Sequence, residues 1–467
     1  MQNRFANFFV LLKKALSGEE QDYTTGSVRK AIFMLSVPMI LEMMMESVFA
    51  VVDIFFVNRL GADAVSIVGL TESVNTIIYS VAIGMSAAAT AVISRRIGEK
   101  NKEAAAFTAV QVIALTCITS LILSIPAAMF SEEILRLMGA EPSAIASGSG
   151  YTRIMFSSSA VIMFLFVING IYRGAGDASI AMRSLWIANI CNIILDYLLI
   201  FGIGPFPELG IEGAAIATVI GRGIGIAYQI YHLAKGKGVV KIMKHHFTLS
   251  KKIIISLIEV ASPATVQFLI ASASWVVLAA FVAQSGSDAS AGYQTGIRLV
   301  LFFILPAWGM SNAAATLVGQ NLGAKQTERA EESVLKTAKY NAIFMGSVSL
   351  IFLFFSHSII SLFTPAINTE QIHYAVLALR IISAGYIFYG VGMVITMAFN
   401  GAGDTRTPTI INFFGFWMFQ IPLAYLLSHT FALGPTGVFI AIPVAETAIA
   451  IISFIIFKQG KWKTIKV

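Results

Sequence analysis

The sequence predicts an all-α polytopic membrane protein with twelve transmembrane helices, and three observations carry this prediction. Hydrophobic residues make up 57% of the 467 residues and charged residues only 12%, whereas soluble domains carry about 25% charge. Twelve apolar runs approach or exceed the roughly 20 residues that cross a bilayer as a helix. These runs fall into two sets of six on either side of a basic linker.

The predicted spans divide the chain into two lobes. We expect a cytoplasmic or interfacial N-terminus at 1–28, an N-lobe at 29–234, a linker at 235–252, a C-lobe at 253–457 and a tail at 458–467. The spans are 31–57, 64–93, 105–129, 148–171, 179–203 and 211–233, then 253–284, 289–318, 333–360, 373–400, 408–430 and 436–457.

The two lobes repeat one another in sequence. Ser36–Pro38 recurs as Ala261–Pro263, and Gly174–Asp177 recurs as Gly401–Asp404, at offsets of 225 and 227. Because each copy has an even number of helices, both copies share one orientation. The repeat therefore predicts two six-helix bundles related by a pseudo-two-fold axis along the membrane normal, with a substrate cavity between them.

The basic residues predict the orientation. If both termini are cytoplasmic, 26 of the 32 lysines and arginines lie in cytoplasmic segments, and the outer loops hold only Arg59, Arg136 and Arg153. The positive-inside rule then favours this orientation in the cell's inner (plasma) membrane. It also explains the net charge of +7 through contact with anionic lipid, without nucleic acid. Cys117 and Cys191 lie in apolar runs and suggest neither a disulfide nor a metal site.

Three acids interrupt the first predicted span. At about 100° per residue, Glu42, Glu46 and Asp53 fall on one face of the helix. A carboxylate at the centre of a membrane helix costs about 2.5–3.5 kcal/mol, so such groups usually face a wet or protein interior and handle ions or protons. Alternatively, the two glutamates are simple polar lining near a water-filled mouth. Pro38 removes a backbone hydrogen bond and permits a bend beside these acids.

The N-lobe keeps acids where the C-lobe does not. Asp53 corresponds to Leu278, and Asp196 stands four residues after Asn192 on one helix face. Two carboxylates in a low dielectric can hold a proton, or they can join other oxygens in a cage for sodium. The alternative is a polar cluster that only fixes helix packing. The oxygens that could complete the cage belong to Asn192, Asn169 and Thr218.

Adaptable and aromatic side chains suggest a substrate cavity, although each could also be ordinary packing. No phosphate-binding G-x-x-x-x-G-K-[ST] motif occurs, so we do not expect ATP to be the direct energy source. The six histidines show no metal-ligand spacing and no sizeable soluble domain is predicted, so we expect neither an enzyme nor a cofactor, only H⁺ or Na⁺ as a coupling ion. The candidate cavity residues are Met43, Glu46, Gln267, Trp275, Trp308 and Trp417.

The paired turns at 173–177 and 400–404, the Val51–Asp53 segment and Asp196 make the chain resemble the multidrug and toxic compound extrusion (MATE) transporters. The resemblance implies drug or metabolite efflux driven by inward flow of protons or sodium through alternating access. It assigns the cation site to Asp53, Asn192, Asp196 and Thr218, adds Asn169 to their hydrogen-bonded group, and makes Pro38 the bending proline. No acid occurs at 263–271 or 386–390, which favours the branch resembling DNA-damage-inducible protein F.

Two other functions remain open at this point. One is a lipid-linked oligosaccharide flippase of the same wider superfamily, and the other is a non-transporting membrane receptor or channel. For the transporter we expect small amphipathic or cationic substrates, contact with membrane lipid, no nucleic acid and a monomer.

Overall fold

A computed structural model describes residues 2–18, 20–235, 238–363 and 369–467, and these form helices with no strand. Because the bilayer core offers no water to backbone N–H and C=O groups, an apolar spanning run satisfies these groups internally by forming a helix. In chain order they are α1 Gln2–Ser17, α2 Val28–Val57, α3 Ala62–Gly98, α4 Lys102–Met129, α5 Ser131–Leu137, α6 Pro142–Ser157, α7 Ser159–Ala175, α8 Ala178–Phe201, α9 Gly210–Lys235, α10 Lys251–Ala283, α11 Ser287–Gly323, α12 Thr327–Phe363, α13 Thr369–Ala384, α14 Tyr386–Ala402, α15 Arg406–Thr430 and α16 Pro435–Lys458.

The described residues include ten helices that are long and apolar enough to cross a membrane, and the bent pair α13 and α14 makes an eleventh if it is one span. Helix α2 is outside that count, but its 30 residues rise about 45 Å, which is enough to span. With α2 the fold has the predicted twelve spans in two bundles.

The two halves pack as the repeat predicts. Helix α2 lies against α11, and α3 lies against α10. The repeat relates α2 to α10 and α3 to α11, so exchanging the halves converts one interface into the other. The architecture therefore has the pseudo-two-fold axis that the sequence predicts.

The fourth span of each half is broken at an equivalent position. The first break is at Ser158, between α6 and α7, and the second is at Gly385, between α13 and α14. These positions differ by 227, the offset of the glycine turns, and the second break bends its span by 55°. After each broken span a glycine ends the helix with positive φ, Gly176 at 86° and Gly403 at 87°, a conformation in which glycine has no Cβ penalty.

Both termini lie at one face of the molecule, called here the terminus-bearing face. The Arg95 guanidinium of α3 donates to the carbonyls of Ala402 (3.2 Å) and Ile465 (3.0 Å). Lys100 contacts Asp22 at 2.7 Å. Partial burial raises the pKa of Asp22, but hydrogen bonds from Lys100 and Thr24 outweigh it and lower that pKa to about 2. These contacts tie the terminal segments to both halves.

The halves also touch each other directly at this face. The Thr316 hydroxyl donates to the carbonyl of Arg173 at 3.0 Å, and the Gln320 side-chain amide donates to the carbonyl of Gly174 at 3.1 Å. Gly98 lies so close to Gln320 that an added Cβ would stand 2.0 Å from its carbonyl oxygen. The structure is therefore closed between the halves at the terminus-bearing face.

Candidate functional site

A cavity of about 470 Å³ lies near the opposite face, beside the end of α2 and the start of α3. Its volume falls within the range of small-molecule sites, about 300–1,000 Å³. In the described part of the chain, Arg298 alone among its lining residues comes from the second half. The polar lining residues are Glu46, Asp53, Glu72, Tyr79, Tyr151, Thr218, Arg222 and Arg298.

The cavity carries charges of both signs. Arg222 is 3% exposed, and its Nη2 lies 3.7 Å from Oε1 of Glu46. The rings of Phe49 and Tyr79 lie under its guanidinium carbon, with centroids at 5.9 and 5.7 Å. Asn189 donates to the other oxygen of Glu46 at 3.0 Å. The face of α2 that holds the acids therefore also faces the buried guanidinium of Arg222.

Asp196 lies beside this cavity with unmet hydrogen-bonding capacity. It is fully buried, and within the described ranges neither of its carboxylate oxygens has a hydrogen-bonding partner. Its charge interacts with that of Asp53. The Asn192 side-chain amide donates to the Thr218 hydroxyl at 2.9 Å, and Oδ1 of Asn192 also has no partner among these residues. A buried charge without a partner is unfavourable by several kcal/mol, so this group can hold a proton or a cation.

The structure corrects the placement of Asn169. Its side-chain amide donates to Oε1 of Glu42 at 3.0 Å, and its carbonyl accepts from Gln229. The Arg173 guanidinium lies 3.2 Å from the same Glu42 oxygen and donates to the Ser86 hydroxyl at 2.9 Å. Asn169 therefore belongs to a second buried group around Glu42 and Arg173, not to the group of Asp53 and Asp196, because its helix brings it level with Glu42.

Pro38 lies buried inside α2, one turn before Glu42. The helix is continuous through it from Val28 to Val57. The proline therefore stands where a bend would move the acids relative to the second half, while its role in bending stays a prediction.

The predicted substrate residues do not line one cavity. Met43 and Trp308 line a small cavity of about 30 Å³ between the halves, together with Arg173. Glu46 instead lines the large cavity. In this conformation the candidates therefore divide between a charged cavity and a nearly filled one near the terminus-bearing face, and their role in substrate binding stays a prediction.

The other three candidates lie in the second half. Trp275 lines a pocket of about 10 Å³ with Glu446. Trp417 donates its indole N–H to the carbonyl of Ile270 at 3.2 Å, and Gln267 is 3% exposed. In this conformation these side chains take part in packing, and their place in a substrate cavity stays a prediction.

Sequence reasoning missed several functional candidates. Sequence patterns assign no site role to Glu72, Arg222 and Arg298, which line the large cavity. They assign none to Arg173 either, which pairs with Glu42. The available signal was the cost of a charge in an apolar helix, which applies to arginine as well as to acids.

Comparison with known proteins supplies the family. The sequence profile of the MatE family matches residues 38–198 and 263–426, once in each half. The chain belongs to the MatE family. It is 28% identical over 447 residues to the "Probable multidrug resistance protein YoeA" of Bacillus subtilis, covering 95% of this chain and 96% of that one. It is 27% identical over 462 residues to the "Probable multidrug resistance protein NorM" of Thermotoga maritima, covering 97% of each.

The fold agrees with this assignment. A solved outward-facing multidrug resistance MATE family transporter superposes with a TM-score of 0.89 at 27% identity, over 96% of this chain and all of that one. MatE proteins of this kind are multi-pass membrane transporters associated with drug efflux. The resemblance to the branch of DNA-damage-inducible protein F stays a prediction.

Proposed function

We propose that this MatE transporter is a secondary active antiporter, which exports drugs or amphipathic, cationic metabolites in exchange for protons or sodium ions. The observation that carries the proposal is Asp196. Its two carboxylate oxygens lack partners within the described ranges and lie beside a small-molecule-sized cavity lined by Asp53. A proton or a cation arriving at this pair would remove an unfavourable charge, and its free energy would be available to change the substrate's affinity.

The contacts between the halves support a mechanism of alternating access. With cytoplasmic termini in the plasma membrane, which we propose on the charge distribution, the terminus-bearing face is the inner one. The structure is then closed inside, and its large cavity lies on the outer side. Transport requires the contacts of Thr316 and Gln320 to open while the outer cavity closes, and Pro38 gives α2 a point at which to bend.

The test is transport of ethidium into inverted membrane vesicles, with an imposed pH gradient or an imposed sodium gradient. We expect Asp196→Asn to abolish uptake under both gradients, because it removes the ionisable group. Arg59→Gln, a substitution at an exposed position just after α2, is the matched control for expression and insertion. Full uptake by Asp196→Asn under both gradients would rule out the shared acid site.

The same assay separates the two coupling ions. Sodium needs several oxygen ligands, so Asn192→Ala should weaken sodium-driven uptake and spare proton-driven uptake. We favour proton coupling with sodium competing for the same oxygens. Uptake that did not depend on the pH gradient and stopped without sodium would contradict this preference.

A further inference from the structure

We propose that the segment 461–467, which follows α16, is a strap that holds the terminus-bearing face closed and leaves the first half each time this face opens. The proposal rests on alternating access, which is part of the function proposed above. It adds to that function a conformational device that sets how readily one face of the transporter opens.

The beginning of the strap is anchored in the second half. Trp462 is 1% exposed, and its ring stacks on that of Phe457 with centroids 4.9 Å apart. Its indole N–H donates to the Phe457 carbonyl at 2.9 Å. Nζ of Lys463 lies 2.6 Å from the carboxylate of Glu331 on α12. Because a buried indole contributes a large apolar area and here has its N–H bonded, this end of the strap moves with the second half.

The far end of the strap is bound by the first half. The guanidinium of Arg95 donates to the Ile465 carbonyl at 3.0 Å, and that of Arg96 donates to the Val467 carbonyl at 3.2 Å. Both arginines belong to the last turn of α3. Hydrogen bonds from a charged donor are stronger than those between neutral groups, so α3 holds this end of the strap at two points.

The side chain of Val467 lies between the halves. A Cβ added to Gly403, in the turn after α14, would stand 2.2 Å from Cγ1 of Val467. The same side chain packs against a core cluster formed mostly by residues of the first half. Glycine at 403 therefore leaves the space that this valine occupies, and the valine contacts both halves at once.

The strap is too short to stay bound to both halves when they move apart. Ile465 follows Trp462 by three residues, which reach at most about 11 Å when fully extended. Once α3 moves beyond this reach, either the two arginine contacts break or Trp462 leaves its buried site. Contacts that are made in one state only shift the population toward that state, so the strap favours the closed terminus-bearing face.

The first experiment loosens the strap. Deleting residues 464–467 keeps the Trp462 anchor and removes both carbonyls that the arginines bind. The readout is the labelling rate of Thr90→Cys, which lines the small cavity between the halves, in a chain without Cys117 and Cys191. Because labelling follows the open population, we expect the deletion to make it about ten-fold faster.

Two variants of the full-length chain accompany the deletion. Arg96→Gln removes one of the two guanidinium donors, so its labelling rate should lie between those of the wild type and the deletion. Lys466→Gln is the matched control, because it removes a charge from an exposed position of the strap and leaves both bound carbonyls in place. Its labelling rate should equal that of the wild type.

The second experiment fixes the strap to the first half. Glu99 and Lys466 are exposed and lie near one another, since Arg96 contacts both the Glu99 carboxylate at 2.9 Å and the Val467 carbonyl. Glu99→Cys and Lys466→Cys, combined in the chain without native cysteines, are joined by a thiol cross-linker that contains a reducible disulfide. We expect gradient-driven ethidium uptake to fall about ten-fold or more and to return after reduction. Either single-cysteine variant, treated in the same way, should keep its uptake.

Unchanged labelling in both the deletion and Arg96→Gln, or full uptake by the cross-linked protein, would overturn the inference. Recovery after reduction shows that the cross-linked protein is folded. Absence of uptake by the wild type under every gradient would instead refute antiport, and the labelling rates, which need no transport, would still report on the strap.

Discussion

At the scale of single residues, Glu42 and Arg173 form a buried ion pair, with 1% and 9% of their side chains exposed. Removing one partner of such a pair leaves an uncompensated charge and costs about 3–5 kcal/mol. We therefore expect Glu42→Gln and Arg173→Gln each to lower the free energy of unfolding by that amount. The double variant should lose less than the sum, since neither charge is then left alone. Unfolding by a denaturing detergent in micelles measures all three.

If the losses of unfolding free energy in the two single variants summed to that of the double variant, the result would contradict a direct ion pair. Ser86→Ala is the matched control, because Ser86 contacts Arg173 without carrying a charge. Its cost should be that of one hydrogen bond to a charged group, about 1.5–3 kcal/mol.

Asp53 gives a second prediction at this scale. Asp53→Asn removes a charge at the wall of the large cavity and keeps nearly the same volume, so we expect normal insertion and folding with loss of efflux. Drug resistance of cells that express the variant at the wild-type level is the measurement. Full resistance would mean that Asp53 has only a structural role.

The two acids of the site could be predicted from sequence, but their surroundings could not. Asp53 and Asp196 stand out because each is an acid in an apolar run without an equivalent in the other half. Arg222 cannot be singled out in this way, because the rings that contact its guanidinium, Phe49 and Tyr79, come from other helices. The grouping of Asn169 with Asp53 and Asp196 came from the resemblance, which gives residue types but no contacts, and in the structure its amide donates to Glu42 instead.

At the element scale, the spans and turns can be predicted from the sequence, but the breaks within spans cannot. The apolar run at 148–171 continues through Ser158, and the run at 373–400 continues through Gly385, so hydropathy does not register either break. Helix α3 also extends past the predicted end at 93 to Gly98. Its last turn is polar, and contacts with the second half, such as that of Arg95 with the Ala402 carbonyl, stabilise the helix there.

The close approach of α3 to α11 predicts how a substitution at Gly98 would change the conformation. An added Cβ on Gly98 would overlap the Gln320 carbonyl, at 2.0 Å. Gly98→Ala should therefore disfavour the closed terminus-bearing face and raise the population of the state open there. Labelling of a cysteine at Thr90, which lines the small cavity between the halves, should become several-fold faster in a background without Cys117 and Cys191.

The matched control is Gly223→Ala, because its added Cβ meets no atom within 4 Å apart from its chain neighbours and the adjacent backbone of its own helix. It should leave the labelling rate at the wild-type value. An unchanged rate in Gly98→Ala as well would mean that α3 and α11 can shift apart locally without opening the face.

At the scale of the whole molecule, the twelve spans and the axis followed from repeat and hydropathy because both are properties of the entire chain. The conformation did not follow. The sequence is common to every state of a transporter, and small differences in free energy between packings decide which is populated. The contacts of Arg95, Thr316 and Gln320 define the state described here, and none has a distinctive sequence signal.

The last prediction concerns orientation in the membrane. The basic segments, including the linker 235–252, should lie in the cytoplasm because moving them across the bilayer is unfavourable. A cysteine replacing the exposed Lys241 should react with an impermeant maleimide in inverted vesicles and not in intact cells. A cysteine replacing the exposed Glu132 on α5, at the opposite face, should show the reverse pattern. Ready labelling of Lys241→Cys in intact cells would place the terminus-bearing face outside, and the large cavity would then open toward the cytoplasm.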